Sequence, residues 1–330
     1  MTILTICAVS GEELPVAALE ALAAGRHLSD KLGGKKVQVL LLGAAVEEHG
    51  STLIHRGADS VFVVDDPQLD TLQGEVVLEV LEQVLKQVSP AVVIFPHTDL
   101  LGGHVAPRLA HRLETCVVTD CTGFDVEDGA IRWVRPVYGG KALAVVTATG
   151  PIQLATMRSL SFEPTPADAS RDGPIQELPV DLGAMVPQVP IVDTIVREEA
   201  FEGPSLDRAD IIVSGGRGMG DEEGFEKLKK LARVLEAAVG GSRPAADTGW
   251  VPHSHLVGQT GKIVAPSLYI AVGISGAPQH MSGAGSSKTI VAINKDEDAP
   301  IFKAAHVGVI DEWENVIPAL IEELGEALGK

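Results

Sequence analysis

Three loops rich in glycine and serine, each placed after a predicted strand, carry the residue types best suited to ligand chemistry. They read SGGRGMG at 214–220, VGQTG at 257–261 and GISGAPQHMSGAGSSKT at 273–289. In open parallel sheets, ligands bind outside the carboxyl ends of the strands, where backbone N–H groups and helix N-termini favour phosphate. Three such loops in one small domain therefore predict an extended phosphorylated ligand, most simply a dinucleotide.

The standard nucleotide-binding fingerprints fail in these loops. A GxGxxG pattern that starts at Gly216 meets Asp221 at its last position, and the pattern that starts two residues later also ends on an acidic residue. A Walker A loop needs glycine directly before the lysine, but Ser287 stands before Lys288. A conventional NAD-dehydrogenase loop or P-loop NTPase is therefore poorly supported. Each loop taken alone fits a simple turn between strands equally well.

Residue spacing supports neither a nucleophile nor a metal site. Ser214 and Ser275 each follow an apolar stretch, but neither lies in a GxSxG motif. His111, Cys116 and Cys121 are spaced five residues apart, whereas zinc sites use tighter pairs and a fourth ligand. Buried structural cysteines are the plainer interpretation. We therefore predict no catalytic residue and no metal.

Charge and composition exclude several classes of partner. The 330 residues include 26 Lys and Arg against 45 Asp and Glu, which gives a formal net charge of −19. That field repels a phosphate backbone and an anionic membrane surface, so we expect neither nucleic-acid binding nor membrane insertion. Three cysteines cannot form a disulfide framework, and no apolar run is long enough for a signal peptide or a membrane span. These features predict a cytoplasmic protein.

Alternating strands and helices must position the loops. In the first half, short apolar runs alternate with amphipathic stretches, which predicts a parallel sheet covered on both faces. Antiparallel hairpins joined by EDG and YGG turns follow residue 121, and a second alternating series follows residue 207. The predicted class is α/β, with two Rossmann-like parallel-sheet domains, the first with appended antiparallel hairpins. The predicted strands are 3–9, 37–42, 61–64, 91–95, 116–119, 124–126, 131–137, 142–149, 211–213, 268–272, 290–293 and 307–309, and the predicted helices are 15–32, 46–55, 72–88, 103–113, 222–239 and 313–328.

A stretch rich in proline, aspartate and glycine separates the two series at residues 160–190. It has no sustained hydrophobic period, which predicts a linker or an excursion. Residues 192–197 are a candidate strand that pairs with the first sheet. We place one domain at 1–198 and the second, which carries the glycine-rich loops, at 199–330.

Taken together, the loops of the second half are far more specific than any one of them. PSLYIAVGISGAPQH at 266–280, with SKTIVAINKDEDAPIF at 287–302 downstream, closely resembles the signature of the electron transfer flavoprotein α subunit. The resemblance is strong from Ser214 to the C-terminus and looser over residues 1–200. It implies that the second domain binds FAD and that the first packs against a β subunit of homologous fold.

The resemblance implies an electron carrier rather than an enzyme. Such a carrier accepts electrons from flavin dehydrogenases, for example the acyl-CoA dehydrogenases of fatty acid β-oxidation, and passes them to a quinone oxidoreductase or another acceptor. The β subunit would hold AMP or, in an electron-bifurcating member of the family, a second FAD. Two other classes stay open: an oxidoreductase with its own small substrate, and a nucleotide-binding regulatory module without redox activity.

The resemblance also implies a set of FAD-binding residues. The Thr260 hydroxyl would lie near flavin N5, His280 near the C2 carbonyl and Asn294 beside the adenosine. Two positions depart from the family pattern, because Pro278 replaces a branched aliphatic residue and Glu312–Trp313 replaces aspartate followed by an aliphatic residue. The implied cofactor-binding residues are Arg217, Ser242, Arg243, Val257, Gly258, Gln259, Thr260, Ser275, Gly276, Ala277, Pro278, Gln279, His280, Asn294, Glu312 and Trp313.

Two of these residues are expected to tune the flavin as well as bind it. Reduction places negative charge on flavin N1 and the C2 oxygen, so a fixed cation nearby raises the potential. Arg243 is charged at every working pH, whereas His280 can be protonated or can donate a hydrogen bond. The plainer alternative for Arg243 is a surface charge. For His280 it is a loop histidine whose hydrogen bonds are satisfied within the protein.

Overall fold

A computed structural model describes residues 1–183, 185, 187–193, 203–206 and 209–329. The chain divides into two compact units, Met1–Thr194 and Ile195–Lys330. The boundary predicted after residue 198 lies outside the described residues, as do residues 194–197 of the candidate strand at 192–197. Among the described residues, no helix combines the length and the apolar character that crossing a bilayer requires.

The first unit is built on a parallel sheet of seven strands. Strand residues buried on both faces, such as 37–43, explain why its sequence shows continuous apolar runs rather than alternation. In chain order the elements are β1 (Thr2–Val9), α1 (Val16–Lys31), β2 (Lys36–Gly43), α2 (His49–His55), β3 (Ser60–Asp65), α3 (Gly74–Val88), β4 (Val92–Pro96), α4 (Ala106–Arg112), β5 (Val117–Cys121), β6 (Gly123–Glu127), β7 (Ala130–Val137), β8 (Ala142–Val146), β9 (Gln153–Met157) and β10 (Ile175–Glu177). The sheet order is β10-β3-β2-β1-β4-β9-β5.

The antiparallel hairpins form a sheet of their own, in the order β6-β7-β8. Two strands of the large sheet were not predicted. β9 is short and continues directly from a proline-containing turn, and β10 lies inside the stretch at 160–190 that we predicted as a linker or excursion. The three residues of β10 are exposed and pair with β3 through their backbones, so no side-chain pattern marks them.

The second unit is a doubly wound parallel sheet of five strands. Its elements are β11 (Ile211–Gly215), α5 (Glu222–Val234), β12 (Ala238–Gly241), α6 (Arg243–Asp247), β13 (Leu268–Val272), α7 (Pro278–Ala284), β14 (Thr289–Asn294), β15 (Val307–Ile310) and α8 (Trp313–Leu328). The strand order is β12-β11-β13-β14-β15. The chain therefore reverses direction across the sheet between β11 and β13, and the crevice at such a switch point is where this topology binds ligands.

The helix predicted over 222–239 is too long. α5 begins where the Asp221 side chain accepts a hydrogen bond from the Gly224 N–H at 2.9 Å, and it ends at Val234. Glu236 then adopts a left-handed φ of 53°, which directs the chain into β12. The apolar residues of this segment suit the face of a helix or a buried strand, so periodicity alone could not place the boundary.

Candidate functional site

A cleft of about 630 Å³ opens at the carboxyl edge of the second sheet. Its walls come from the segments that follow β11, β12, β13 and β14, together with the loop at 256–260, and its volume is within the range of about 300–1,000 Å³ typical of small-molecule sites. The lining residues are Arg217, Gly218, Ser242, Arg243, Pro244, Leu256, Val257, Gly258, Gln259, Thr260, Gly273, Ile274, Ser275, Ala277, Gln279, His280, Asn294, Asp296 and Ala299.

Most of the residues implied by the resemblance line this cleft, but four do not. Gly276 has a φ of 80° and packs so closely that a Cβ there would lie 2.4 Å from the Ile301 nitrogen, so it shapes the turn. Pro278 begins α7. Glu312 and Trp313 line a separate recess of about 70 Å³, which borders the cleft at Gly218, Gly273 and Asn294.

Trp313 and Glu312 have contacts within the protein. Trp313 packs against the core beneath α5, and the Lys227 Nζ lies 5.3 Å from the centroid of its ring, a cation–π geometry. The Glu312 carboxylate lies 3.8 Å from the Lys295 Nζ. The cofactor contact that the resemblance implies for Glu312 stays a prediction.

Several lining residues were not predicted: Gly218, Pro244, Leu256, Gly273, Ile274, Asp296 and Ala299. Gly218 and Gly273 lie in the glycine-rich loops, and that position is the sequence feature that could have identified them as cleft residues. Leu256 and Ala299 gave none, because an apolar residue near a loop is indistinguishable in sequence from one that packs in the core.

Ser242 and Arg243 lie at the turn between β12 and α6. The Ser242 N–H donates to the Gly215 carbonyl at 2.9 Å, which fixes the turn against β11. The Ser242 Oγ is buried and has no hydrogen-bond partner in the described part of the chain. The Arg243 side chain is 66% exposed, and its Nε lies 3.5 Å from the Asp247 carboxylate one turn along α6. Such an exposed pair is weak, so the guanidinium is available to a ligand.

The loop that carries Gln259 and Thr260 is held from both sides. The Val257 N–H donates to the Gly241 carbonyl at 3.0 Å, next to the end of β12. The Gln259 N–H donates to the Gln279 carbonyl at 2.7 Å, on α7. Backbone bonds therefore fix the loop, while the side chains of Gln259 and Thr260 stay exposed at the cleft.

His280 is 7% exposed, and its environment disfavours the cation. Burial lowers the pKa of His280 to about 4, and the Val257 carbonyl opposes this shift only in part. Its Nε2 lies 2.9 Å from the Tyr269 hydroxyl, and its Nδ1 is buried without a hydrogen-bond partner among the described residues. The structure therefore does not support a protonated imidazole at neutral pH, and the neutral, hydrogen-bonding alternative is favoured.

Asn294 connects two of the loops. Its Nδ2 donates to the Ile274 carbonyl at 3.0 Å, and its Oδ1 accepts from the Asp296 N–H at 3.0 Å. The amide thereby joins the end of β14 to the segment after β13. These two bonds help to shape the wall of the cleft, and one N–H of Nδ2 and one lone pair of Oδ1 are left for the predicted contact with the adenosine.

The donors of the cleft fit FAD. Two guanidinium groups, Arg217 and Arg243, match the anionic groups of the cofactor, and the hydroxyl and amide groups of Thr260 and Gln259 match a polar flavin edge. The Ser242 Oγ and the His280 Nδ1 have hydrogen-bonding capacity that the described protein groups do not use. Among the described residues, no group of three or more His, Cys, Asp or Glu side chains is arranged to hold a metal ion.

Comparison with known proteins identifies the family. Residues 3–182 match the family described as "Electron transfer flavoprotein domain", and residues 205–285 match "Electron transfer flavoprotein FAD-binding domain". An electron transfer flavoprotein subunit alpha from Bacillus subtilis is 42% identical over 311 residues, which is 94% of this chain and 93% of that protein. Proteins of the same name from Thermoanaerobacterium thermosaccharolyticum (42% over 309 residues, 93% and 92%) and Megasphaera elsdenii (38% over 315 residues, 94% and 92%) also match.

These matches confirm the resemblance seen in the sequence, together with the α/β fold class and the assignment of FAD as cofactor. The chain belongs to the electron transfer flavoprotein family, as an alpha subunit with the FAD-binding domain of that family.

Proposed function

We propose that this chain is the FAD-binding subunit of a heterodimeric electron carrier, without a substrate reaction of its own. The observation that supports this most is the cleft at the switch point of the second sheet. It brings Arg217, Arg243, Thr260 and His280 together inside the domain that matches the FAD-binding family. These are groups that bind and polarise a ligand.

When bound, FAD supplies the electron-accepting and electron-releasing chemistry, in one- or two-electron steps. Arg217 helps to bind FAD, and Arg243 stabilises the negative charge that develops on the reduced flavin, because its guanidinium keeps its charge at every working pH. Thr260 and His280 offer neutral hydrogen bonds to the ring system. Asn294 and the backbone bonds of the 257–260 loop hold these donors in place before the ligand arrives, which reduces the ordering cost of binding.

The second part of the proposal concerns partners. The relatives are named as alpha subunits, which supports assembly with a beta subunit of related fold, and the first unit is assigned to that contact. The beta subunit would hold AMP, or a second FAD if the pair is electron-bifurcating. Flavin dehydrogenases, including acyl-CoA dehydrogenases of fatty acid β-oxidation, would donate electrons, and a quinone oxidoreductase or another acceptor would receive them.

A cytoplasmic location belongs to the same proposal. All three cysteines lie in the described part of the chain and are free, and Cys7 and Cys121 are buried. Free thiols of this kind fit a reducing compartment.

Co-expression with an electron transfer flavoprotein beta subunit from the same organism tests the proposal. We expect a stable heterodimer with the visible absorption of oxidised flavin, one FAD assigned to this chain, and reduction of that FAD by an acyl-CoA dehydrogenase with its substrate. A purified heterodimer that lacks flavin would favour the regulatory module, and turnover of a small substrate without a protein donor would favour an independent oxidoreductase. A second FAD per heterodimer would identify the bifurcating type.

A further inference from the structure

Tyr269 is a fully buried tyrosine that does not itself line the cleft but is hydrogen-bonded to His280, a residue that does. It lies on β13, opposite Ile212 of β11 and Ile290 of β14, with 0% of its surface exposed. Burying a hydroxyl without a hydrogen bond costs about 1–3 kcal/mol, so the phenol needs a partner. That partner is His280, whose Nε2 lies 2.9 Å from the Tyr269 Oη.

The direction of this hydrogen bond follows from the protonation of both groups. Burial raises the pKa of Tyr269 above its usual range, and the nearby Ser214 hydroxyl opposes this only in part, so the phenol keeps its proton. Burial lowers the pKa of His280 to about 4, so at neutral pH its ring has one N–H and one lone pair. A donating phenol places the lone pair on Nε2 and the proton on Nδ1.

The opposite arrangement is less favourable. If Nε2 carried the proton and donated to the phenol oxygen, the phenol proton would need a different acceptor. The Ser214 hydroxyl is close enough to affect the pKa of Tyr269, but its Oγ makes no hydrogen bond with the phenol or with any other group in the described part of the chain.

We propose that Tyr269 is a positioning residue, whose buried hydroxyl donates to the Nε2 of His280 and fixes this residue of the cleft in the Nδ1–H tautomer. The effect on flavin potential rests on the proposed function, whereas the tautomer itself does not. The imidazole then acts on the cleft as a fixed neutral dipole, and cationic stabilisation comes from the arginines. Loss of the hydroxyl lets the proton redistribute between the two nitrogens.

Nitrogen-15 NMR of the histidine-labelled heterodimer at neutral pH tests the tautomer directly. The chain has 10 histidines, and loss of a signal in His280→Gln assigns the right one. We expect Nε2 of wild type to resonate as an unprotonated nitrogen and Nδ1 as a protonated one. In Tyr269→Phe the chemical shifts of the two ring nitrogens should move towards each other, as expected for a mixture of the two tautomers. Tyr138→Phe is the matched control, because it removes the hydroxyl of the other tyrosine, which is 83% exposed.

Ser214→Ala tests which of two possible acceptors, the His280 Nε2 or the Ser214 Oγ, receives the proton of the Tyr269 phenol. It also takes the place of Tyr269→Phe if that variant does not fold. An unchanged His280 spectrum in Ser214→Ala supports donation from the phenol to His280, and a changed tautomer overturns it. A protonated Nε2 in wild type, or an unchanged spectrum in a folded Tyr269→Phe protein, also overturns the proposal.

The flavin potential provides a second readout that a merely structural role would not give. Tyr269→Phe should shift the potential in the wild-type background and leave it unchanged in the His280→Gln background, because its effect passes through His280. Equal shifts in both backgrounds would contradict the positioning role. If no flavin binds, the proposed function fails, whereas the NMR result still decides the tautomer.

Discussion

The loops after β11 and β13 meet backbone to backbone at Gly218 and Gly273. The Gly218 N–H donates to the Gly273 carbonyl at 3.0 Å, and a Cβ on Gly218 would lie 2.8 Å from the Gly273 Cα. No flexible side chain separates them, so neither loop can accept extra volume without a backbone shift. This contact fixes the two loops that form the wall of the cleft at the switch point of the sheet.

Gly218→Ala should therefore weaken FAD binding while the rest of the chain stays folded. Forced repacking of this kind costs about 1–3 kcal/mol, which corresponds to roughly 10- to 100-fold in affinity. FAD titration of the flavin-free heterodimer measures the effect. Gly123→Ala is the control, since a Cβ there meets nothing within 4 Å. Affinity equal to that of wild type in Gly218→Ala would show that the two loops can separate at no cost.

Arg243→Ala should lower the reduction potential of the bound flavin. Removing one charge a few ångströms from a developing anion costs up to about 4 kcal/mol at an effective dielectric constant of about 20. Solvent screening reduces this, because the Arg243 side chain is 66% exposed, so we expect a drop on the order of 50 mV. Spectroelectrochemical titration measures this drop. In Arg243→Lys, which keeps the positive charge, the reduction potential should fall much less. A potential unchanged in Arg243→Ala would assign Arg243 to the surface alone.

His280→Gln should change how stability depends on pH. The pKa of His280 is about 4 in the folded chain and its ordinary value is 6.5, so the unfolded chain binds the proton more tightly. Stability is therefore lost as pH falls from about 6.5 to about 4, by at most about 3 kcal/mol. Urea unfolding at pH 7 and pH 4.5 should show a smaller difference in the variant. An identical difference in both proteins would mean that His280 titrates normally.

Glu20 should respond to pH in the opposite sense. It is 5% exposed, accepts a hydrogen bond from the Leu160 N–H at 3.0 Å, and has a pKa raised by burial. The folded chain therefore favours the protonated carboxyl, and its contribution to stability is lost as pH rises through that pKa. Glu20→Gln should be more stable than wild type at neutral pH, with the advantage shrinking in acid.

The matched control for Glu20 is its replacement by alanine. Glu20→Ala likewise removes the titrating carboxyl but leaves the Leu160 N–H without its acceptor, so it should be less stable than Glu20→Gln by about 1 kcal/mol at any pH. Thermal unfolding across pH distinguishes the two variants. If Glu20→Gln were less stable than wild type at neutral pH, the pKa of Glu20 would not be raised by burial in the folded protein.

The sequence predicted the position of the cleft well, because polar and glycine residues such as Arg217 and Thr260 directly follow strands or lie in loops. It could not predict the charge state of His280, which depends on the burial of the imidazole and on its hydrogen bond with Tyr269, because a sequence pattern does not show how deeply a loop histidine is buried. β12 was missed because the helix predicted over 222–239 covered its first residues. Nothing in the sequence marks Glu236 as the left-handed residue that ends the helix before this strand.

In the first unit, too, the side-chain pattern predicted some elements and missed others. Its central strands were predicted from continuous apolar runs, whereas β10 was missed because its pairing with β3 uses the backbone and its side chains are exposed. Glu312 and Trp313 were expected beside FAD from their position in the family pattern. Their internal contacts with Lys295 and Lys227 depend on packing that the sequence does not display.

If FAD occupies the cleft at the carboxyl edge of the second sheet, a bulky side chain placed in the cleft should block FAD binding, and FAD titration of such a variant measures this. Ala277 lines the cleft and is exposed, so Ala277→Trp should block it, and Ala142→Trp on the antiparallel sheet of the first unit is the matched control. We expect saturation at one FAD on this chain for wild type and Ala142→Trp, and at least about tenfold weaker binding for Ala277→Trp, a loss of about 1.4 kcal/mol. FAD binding of equal affinity in a folded Ala277→Trp heterodimer would contradict this placement of FAD.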